Sequence, residues 1–254
     1  MPEVLAIVNQ KGGVGKTTTS INLGSFMAEA GKRVVVIDMD PQGNASSSLK
    51  AQLGEKDPSV YEVLIGQCQP ADAIYETGQK NLYLMPAVPD LVGAGIELMD
   101  QPYREYRLRR AIKAIIANYD FVLIDCPPSL GLLTVNALAA AHKVLIPVQC
   151  EFYALEGLHQ LLNTIEMVRQ HLNPQIQVLG AVLTMYDRRT AFSRKIVKEV
   201  RRTFPGYVFD SVIPRNTELA EAPASGKTIL EYARHSRGAR AYEYLSEEIL
   251  NLYL

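Results

Sequence analysis

The chain has 254 residues, 48% of them hydrophobic and 21% charged, and its 26 Lys and Arg against 27 Asp and Glu leave a net charge of −1. This is the composition of an ordinary globular protein with room for one large α/β domain or two small ones, and it excludes a global cationic field as the means of holding a polyanion. Three scattered cysteines (Cys68, Cys126, Cys150) without C-x-x-C spacing argue against a zinc site and for a reducing compartment.

In chain order, an apolar run at Val4–Val8 predicts a strand that starts almost at once, with no basic leader before it. No later run approaches the ~18 apolar residues of a membrane span, so the cytoplasm is the expected location. The next stretch, Asn9-Gln10-Lys11-Gly12-Gly13-Val14-Gly15-Lys16-Thr17-Thr18-Thr19, leads into helical spacing at Ile21, Leu23, Phe26, Met27 and Ala30. Strand, glycine-rich turn and helix start form the setting of a phosphate-binding loop. The glycines let several N–H groups point at one anion, and the helix adds the positive end of its dipole. Lys16 can reach terminal phosphates, and the Thr17 hydroxyl suits a phosphate-bound Mg²⁺. The standard spacing asks for glycine at 10, where this chain has Gln10, and Lys11 is an added cation. The loop is the deviant form, and the dinucleotide fingerprint fails at Thr18.

Val34–Ile37 reads as a strand buried on both faces, ending in Asp38-Met39-Asp40-Pro41-Gln42-Gly43-Asn44. Residues 45–80 read as short helices and loops. A short strand at 82–86, a helix over 103–118 and a strand at 121–125 follow. Further on come helix 131–141, strand 144–148, helix 155–171, strand 176–184, a basic helix near 190–203, strand 207–213 and helical stretches at 217–225 and 239–252. The alternation predicts a single α/β domain spanning 1–254, a mostly parallel twisted sheet with helices on both faces.

In such a sheet the functional crevice lies beyond the carboxyl ends of the strands. The glycine loop, the Asp38/Asp40 pair and Asp125 all follow runs that end there. Four apolar residues and then Asp125 make the pattern of a strand whose carboxylate holds the Mg²⁺ hydration shell. Of Asp38 and Asp40, one suits the metal and the other the orientation of an attacking water.

The runs at 9–19 and 38–44, Asp-Cys-Pro-Pro-Ser-Leu-Gly at 125–131, Ile-Pro-Arg-Asn at 213–216, Glu-Ala-Pro at 221–223 and Ser-Arg-Gly-Ala at 236–239 together resemble the ParA/Soj family of chromosome and plasmid partition ATPases. The likeness covers residues 4 to about 245. It implies Mg²⁺-dependent ATP hydrolysis coupled to formation of a homodimer. It makes Lys11, Gly12, Gly13, Val14, Gly15, Lys16, Thr17 and Thr18 the ATP-binding loop, with Pro214 and Asn216 beside the adenine. Thr17, Asp38 and Asp125 become the metal group, and Lys11, Lys16 and Asp40 the catalytic one. Lys11 becomes the signature lysine that reaches the partner subunit's phosphates; from the residues alone it could equally be a cis ligand or a solvated charge. The likeness further implies non-specific binding to double-stranded DNA, nucleoid association and a ParB-like centromere-binding partner that stimulates hydrolysis.

Segment 186–202 supplies a surface for such DNA. Arg188, Arg189, Arg194, Lys195, Lys198, Arg201 and Arg202 stand there against Asp187 and Glu199. On a helix, positions 194, 195, 198, 201 and 202 share one arc and apolar residues fill the other side. A solvated charged face is the plainer reading of the same run. A membrane-attached regulator resembling MinD needs a basic amphipathic tail, and Ser246–Leu254 is short and acidic. An iron–sulfur reductase needs a second cysteine beside Cys126. A tyrosine kinase finds weak support in Tyr232, Tyr242, Tyr244 and Tyr253, and a small-molecule kinase has no evident acceptor pocket.

Overall fold

The computed structural model describes residues 2–49, 54, 57–151 and 154–253, with backbone only at 154–156. Its strands are β1 (Glu3–Ile7), β2 (Val34–Asp38), β3 (Tyr75–Glu76), β4 (Leu82–Met85), β5 (Phe121–Asp125), β6 (Lys143–Gln149), β7 (Gln177–Tyr186) and β8 (Val208–Pro214). They form one sheet in the order β3-β4-β2-β5-β1-β6-β7-β8, parallel throughout except for the short edge strand β3. Alternation within β1 shows why both faces need cover. Val4 and Ala6 point into one core and Leu5 and Ile7 into the other, and all four are fully buried.

One face is covered by α3 (Val60–Ile65), α4 (Leu91–Glu97), α5 (Arg107–Ile115), α6 (Leu132–Ala140), α7 (Ala154–His171) and α8 (Ala191–Thr203). The other carries α1 (Lys16–Glu29), α2 (Asn44–Leu49), α9 (Thr217–Glu221), α10 (Ile229–Ala233) and α11 (Arg237–Asn251). Helices on both faces of a mostly parallel sheet are what the alternation of patterns predicts.

The three central strands fix the site. Asp125 lies in register with Ile7 on one side and with Asp38 on the other. The chain therefore leaves β1, β2 and β5 at one level, and three loops meet beyond their carboxyl ends.

Several boundaries differ from the sequence reading. The helix expected over 103–118 is α5 flanked by 3₁₀ turns at Arg104–Tyr106 and Ile116–Asn118. Pro223 breaks the 217–225 stretch into α9 and a 3₁₀ turn. The last helix starts at Arg237, because Ser236 caps it by accepting from Ala239 N at 3.1 Å. Helices α4 and α10 were not anticipated. Within 45–80, positions 50–53, 55 and 56 lie outside the described residues.

Candidate functional site

The loop between β1 and α1 owes its shape to two glycines in the left-handed region, Gly13 at φ 72° and Gly15 at φ 91°. A Cβ at Gly13 would meet nothing within 4 Å, so conformation and not crowding requires glycine there. The loop is tied down from outside. Thr184 Oγ1 donates to the Val14 carbonyl at 2.8 Å, and Asn9 Nδ2 donates to the Pro147 carbonyl at 2.7 Å. Asn9 Oδ1 accepts from Lys11 N at 3.0 Å. Gly15 then precedes α1, whose first residues are Lys16 and Thr17. Lys16 is 6% exposed, and its amine donates to the Lys11 carbonyl at 3.1 Å. Burial lowers the Lys16 pKa, with Asp125 the main opposing influence.

Beneath the loop, Asp125 accepts from Thr17 Oγ1 at 2.7 Å and from Ser20 Oγ at 2.9 Å. Burial, reinforced by nearby Asp38, holds its carboxyl well above the usual carboxylate range. Asp38 is equally buried and is also raised by burial, despite three hydrogen bonds. Its Oδ1 accepts from Asp40 N at 3.0 Å, and its Oδ2 from Ser46 N at 2.8 Å and Ser46 Oγ at 2.7 Å. Both oxygens of Asp38 thus hold the turn from β2 into α2, while its place in register beside Asp125 keeps it at the edge where the metal group was expected. Asp40 does reach the cleft. It is 7% exposed and accepts from Gln42 N at 3.0 Å.

A cleft of about 690 Å³ opens over the loop, lined by Gly12, Gly13, Gly15, Lys16, Thr17, Thr18 and Asp40 among others. A smaller hollow of about 240 Å³ adjoins it and shares Gly15, Thr18 and Met185. Pro214 and Asn216 line this second hollow with Leu219 and Tyr242. Asn216 Oδ1 caps α9 by accepting from Leu219 N at 3.1 Å. Met185, on the shared wall, has φ 53°, a strained backbone for a side chain of that size. Gly238 sets the outer limit: a Cβ there would stand 2.6 Å from Leu219 Cγ and 2.9 Å from Asn216 Oδ1.

Lys11 lies elsewhere. It lines a neighbouring cleft of about 570 Å³ with Gln10, Leu130, Gln149 and Pro128, the last of which also lines the first cleft. Its amine sits 3.5 Å from Glu151 Oε2. The same carboxylate receives Arg215 at 3.4 Å.

On α8, Ser193, Ile196 and Val200 are buried and the cations face out, as the arc predicts, with one departure. Arg201 turns back to β8, 2.9 Å from Asp210 Oδ1, and donates to the Phe209 carbonyl at 3.2 Å. Arg189 pairs with Asp187 at 2.8 Å and Arg202 with Glu199 at 2.7 Å. Arg188, Arg194, Lys195 and Lys198 make no ion pair among the described residues, and Arg194 Nη1 donates to the Arg188 carbonyl at 2.9 Å.

Ser20, Ser46, Thr184, Glu151 and Gly238 escaped the sequence reading. Only Gly238, inside the Ser-Arg-Gly-Ala run, belonged to a stretch already singled out.

A parallel sheet whose first strand passes through a left-handed glycine loop into a helix opening with Lys16 and Thr17, with Asp125 bonded to the threonine, defines a phosphate-binding-loop α/β protein. An AAA domain family model matches residues 2–178. The sporulation initiation inhibitor protein Soj of Bacillus subtilis is 51% identical over 98% of this chain and 98% of its own length. The chromosome partitioning protein ParA of Caulobacter vibrioides is 52% identical over 98% of this chain and 94% of its own. Among solved structures, one described as cobyrinic acid a,c-diamide synthase from Mycobacterium smegmatis with bound ADP and magnesium superposes with a TM-score of 0.87. It is 41% identical and covers 100% of this chain and 96% of that one. The chain belongs to the Soj/ParA family of chromosome-partitioning ATPases.

Proposed function

We propose that the chain is an ATPase that dimerises around Mg-ATP, binds double-stranded DNA non-specifically as that dimer, and drives partition of DNA together with a ParB-like centromere-binding partner. The observation that carries this reading is the division of the two loop lysines. Lys16 lines the phosphate cleft with Thr17 and Asp40, while Lys11 stands outside it. A cation left outside its own cleft is free to serve a second subunit's phosphates.

The residues fit the nucleotide and its metal. Positive-φ glycines, the start of α1 and a buried lysine suit a polyphosphate. Thr17 and Asp125 offer the one or two protein oxygens that a phosphate-held Mg²⁺ uses, and among the described residues no His, Cys, Asp or Glu cluster forms a fuller metal cage. When bound, Mg²⁺ would neutralise charge on the terminal phosphates. Lys16 binds the same phosphates, and Pro214 and Asn216 border the hollow that takes the base. Asp40, fixed by Gln42 N, orients the attacking water. Asp38 shapes the 40–46 turn that holds Asp40 in place.

The four cations Arg188, Arg194, Lys195 and Lys198 form the DNA surface of each subunit, with Arg189 and Arg202 at its edge. Doubling them in a dimer steepens both affinity and salt dependence. DNA rather than a membrane is the favoured surface. No helix among the described residues is long and apolar enough to cross a bilayer, and Tyr253 near the tail packs edge-on against Phe121 under the Lys143 amine. Residence in the cytoplasm on the nucleoid follows from that role.

Light scattering with a non-hydrolysable ATP analogue, paired with DNA co-sedimentation, tests the reading. Wild type should dimerise and sediment with DNA only with nucleotide, and Lys11→Ala should bind nucleotide yet stay monomeric. A Lys11→Ala protein that dimerises normally, or DNA binding indifferent to ATP, overturns it.

A further inference from the structure

We infer that Glu151 is a latch that parks Lys11 in the single subunit and must release it before two subunits can close; the inference rests on the reading of Lys11 as a trans-acting residue. The geometry is a shared carboxylate. Oε2 of Glu151 lies 3.5 Å from the Lys11 amine, and Oε1 lies 3.4 Å from Arg215 Nη2. Each cation comes from a different arm of the site. The Lys11 backbone is pinned by Asn9 Oδ1, so only its side chain can swing. Arg215 stands between Pro214 and Asn216 on the wall of the smaller hollow. Glu151 itself is held just past β6 by its N–H, which donates to the Gln149 carbonyl at 2.8 Å.

Two features make this a latch and not a fixed strut. The side chains are well exposed, 40% for Lys11, 46% for Glu151 and 61% for Arg215, so the pairs are weak and easily exchanged. The second cation also lowers the cost of release. When Lys11 leaves for a more concentrated anionic charge, Glu151 keeps Arg215 and is not left bare. A polyphosphate of another subunit is such a charge, and a single carboxylate cannot compete with it. The contact therefore holds Lys11 away from solution anions of low charge but yields to a nucleotide-loaded partner. It sets the threshold at which subunits pair.

The sign of the effect can be reversed by choice of residue. Glu151→Gln removes the charge with little change of shape and should favour the dimer. An exposed pair shifts an equilibrium by roughly two- to fivefold, and a dimer opens two latches, so the expected change in dimer dissociation constant is on the order of tenfold tighter. Arg215→Ala leaves the carboxylate to Lys11 alone and should weaken the dimer by a few-fold. Glu151→Asp should fall between Glu151→Gln and wild type.

Protein concentration is titrated at saturating non-hydrolysable ATP analogue, with dimer read by light scattering, so that changes in nucleotide affinity at Arg215 do not enter. Opposite shifts in the Glu151→Gln and Arg215→Ala proteins support the latch. An unchanged or weaker dimer in Glu151→Gln overturns it while wild-type dimerisation leaves the proposed function standing. A wild type that never dimerises overturns both.

Discussion

Thr17 and Asp125, 108 positions apart in the chain, meet through a 2.7 Å hydrogen bond that joins the first turn of α1 to the end of β5. The threonine hydroxyl is the donor, so the oxygen that faces the cleft keeps a lone pair for a cation. The carboxylate is braced by Ser20 from the next turn of the same helix. One acid thus fixes the direction of the hydroxyl that, on the proposed reading, would meet a phosphate-held metal.

Asp125→Asn tests that arrangement. The amide cannot accept from two hydroxyls as a carboxylate does, and supporting groups of this kind govern metal affinity by about 10- to 100-fold. Nucleotide binding followed by fluorescence should lose most of its Mg²⁺ dependence while metal-free binding persists. Unaltered Mg²⁺ dependence would move the metal role away from this strand.

Asp40→Ala should separate binding from chemistry. Asp40 lines the cleft and its carboxylate accepts from Gln42 N within its own turn, so its loss removes no phosphate donor. Nucleotide affinity should stay within about twofold, hydrolysis should fall by 10²-fold or more, and ATP-bound dimer should accumulate. Wild-type turnover in this variant would place the water-orienting group elsewhere.

The α8 surface divides into cations with and without an ion pair among the described residues, and the two sets should behave differently. Replacing Arg194, Lys195 and Lys198 by alanine removes six cations from a dimer and should flatten the log K against log[salt] slope by up to about 5. Arg201→Ala should leave that slope almost unchanged, because its guanidinium already serves Asp210 and the Phe209 carbonyl. Its effect should appear in thermal stability. Equal slopes for the triple variant and wild type would reduce the face to solvated surface.

Glu248 gives a pH test remote from the cleft. Burial pushes its carboxyl up, but hydrogen bonds from Tyr207 Oη, Asp210 N, Ser211 N and Ser211 Oγ outweigh burial and hold it below its ordinary value. A depressed carboxylate stabilises the fold above its unfolded pKa, and the contribution is lost as pH falls through the folded one. Glu248→Gln should therefore lower Tm at neutral pH by roughly 2–4 °C for each ~1 kcal/mol removed. The two melting curves should converge only as pH falls from the ordinary glutamate value of about 4.3 through the lower folded one. A gap that persists in acid would show that the carboxylate charge is not what matters.

The parts of the site written in local pattern were legible from the chain alone. A β-branched run ending in Asp38, an apolar run ending in Asp125 and the glycine loop each announce strand, turn and a place at the carboxyl edge of the sheet within a few residues. Ser20, Thr184 and Glu151 are different. Their partners lie 105 positions away for Ser20 and 170 for Thr184, and Glu151 joins two arms of the chain. No local periodicity encodes such pairings. The engagement of Asp38 by Ser46, eight positions on, is illegible for the same reason. Helix α4 is illegible because Gly93 and Gly95 weaken the helical pattern; it buries Leu91 and Ala94 and leaves Val92 and Ile96 68% and 72% exposed.

The closeness of Gly238 to Leu219 and Asn216, with Tyr242 reaching Thr19 at 3.2 Å, ties the smaller hollow to the docking of α11 across α1. A side chain at 238 would have to displace Leu219 or the Asn216 amide that caps α9. Residue 238 is therefore a spacer: the hollow keeps its width only while that position carries no Cβ.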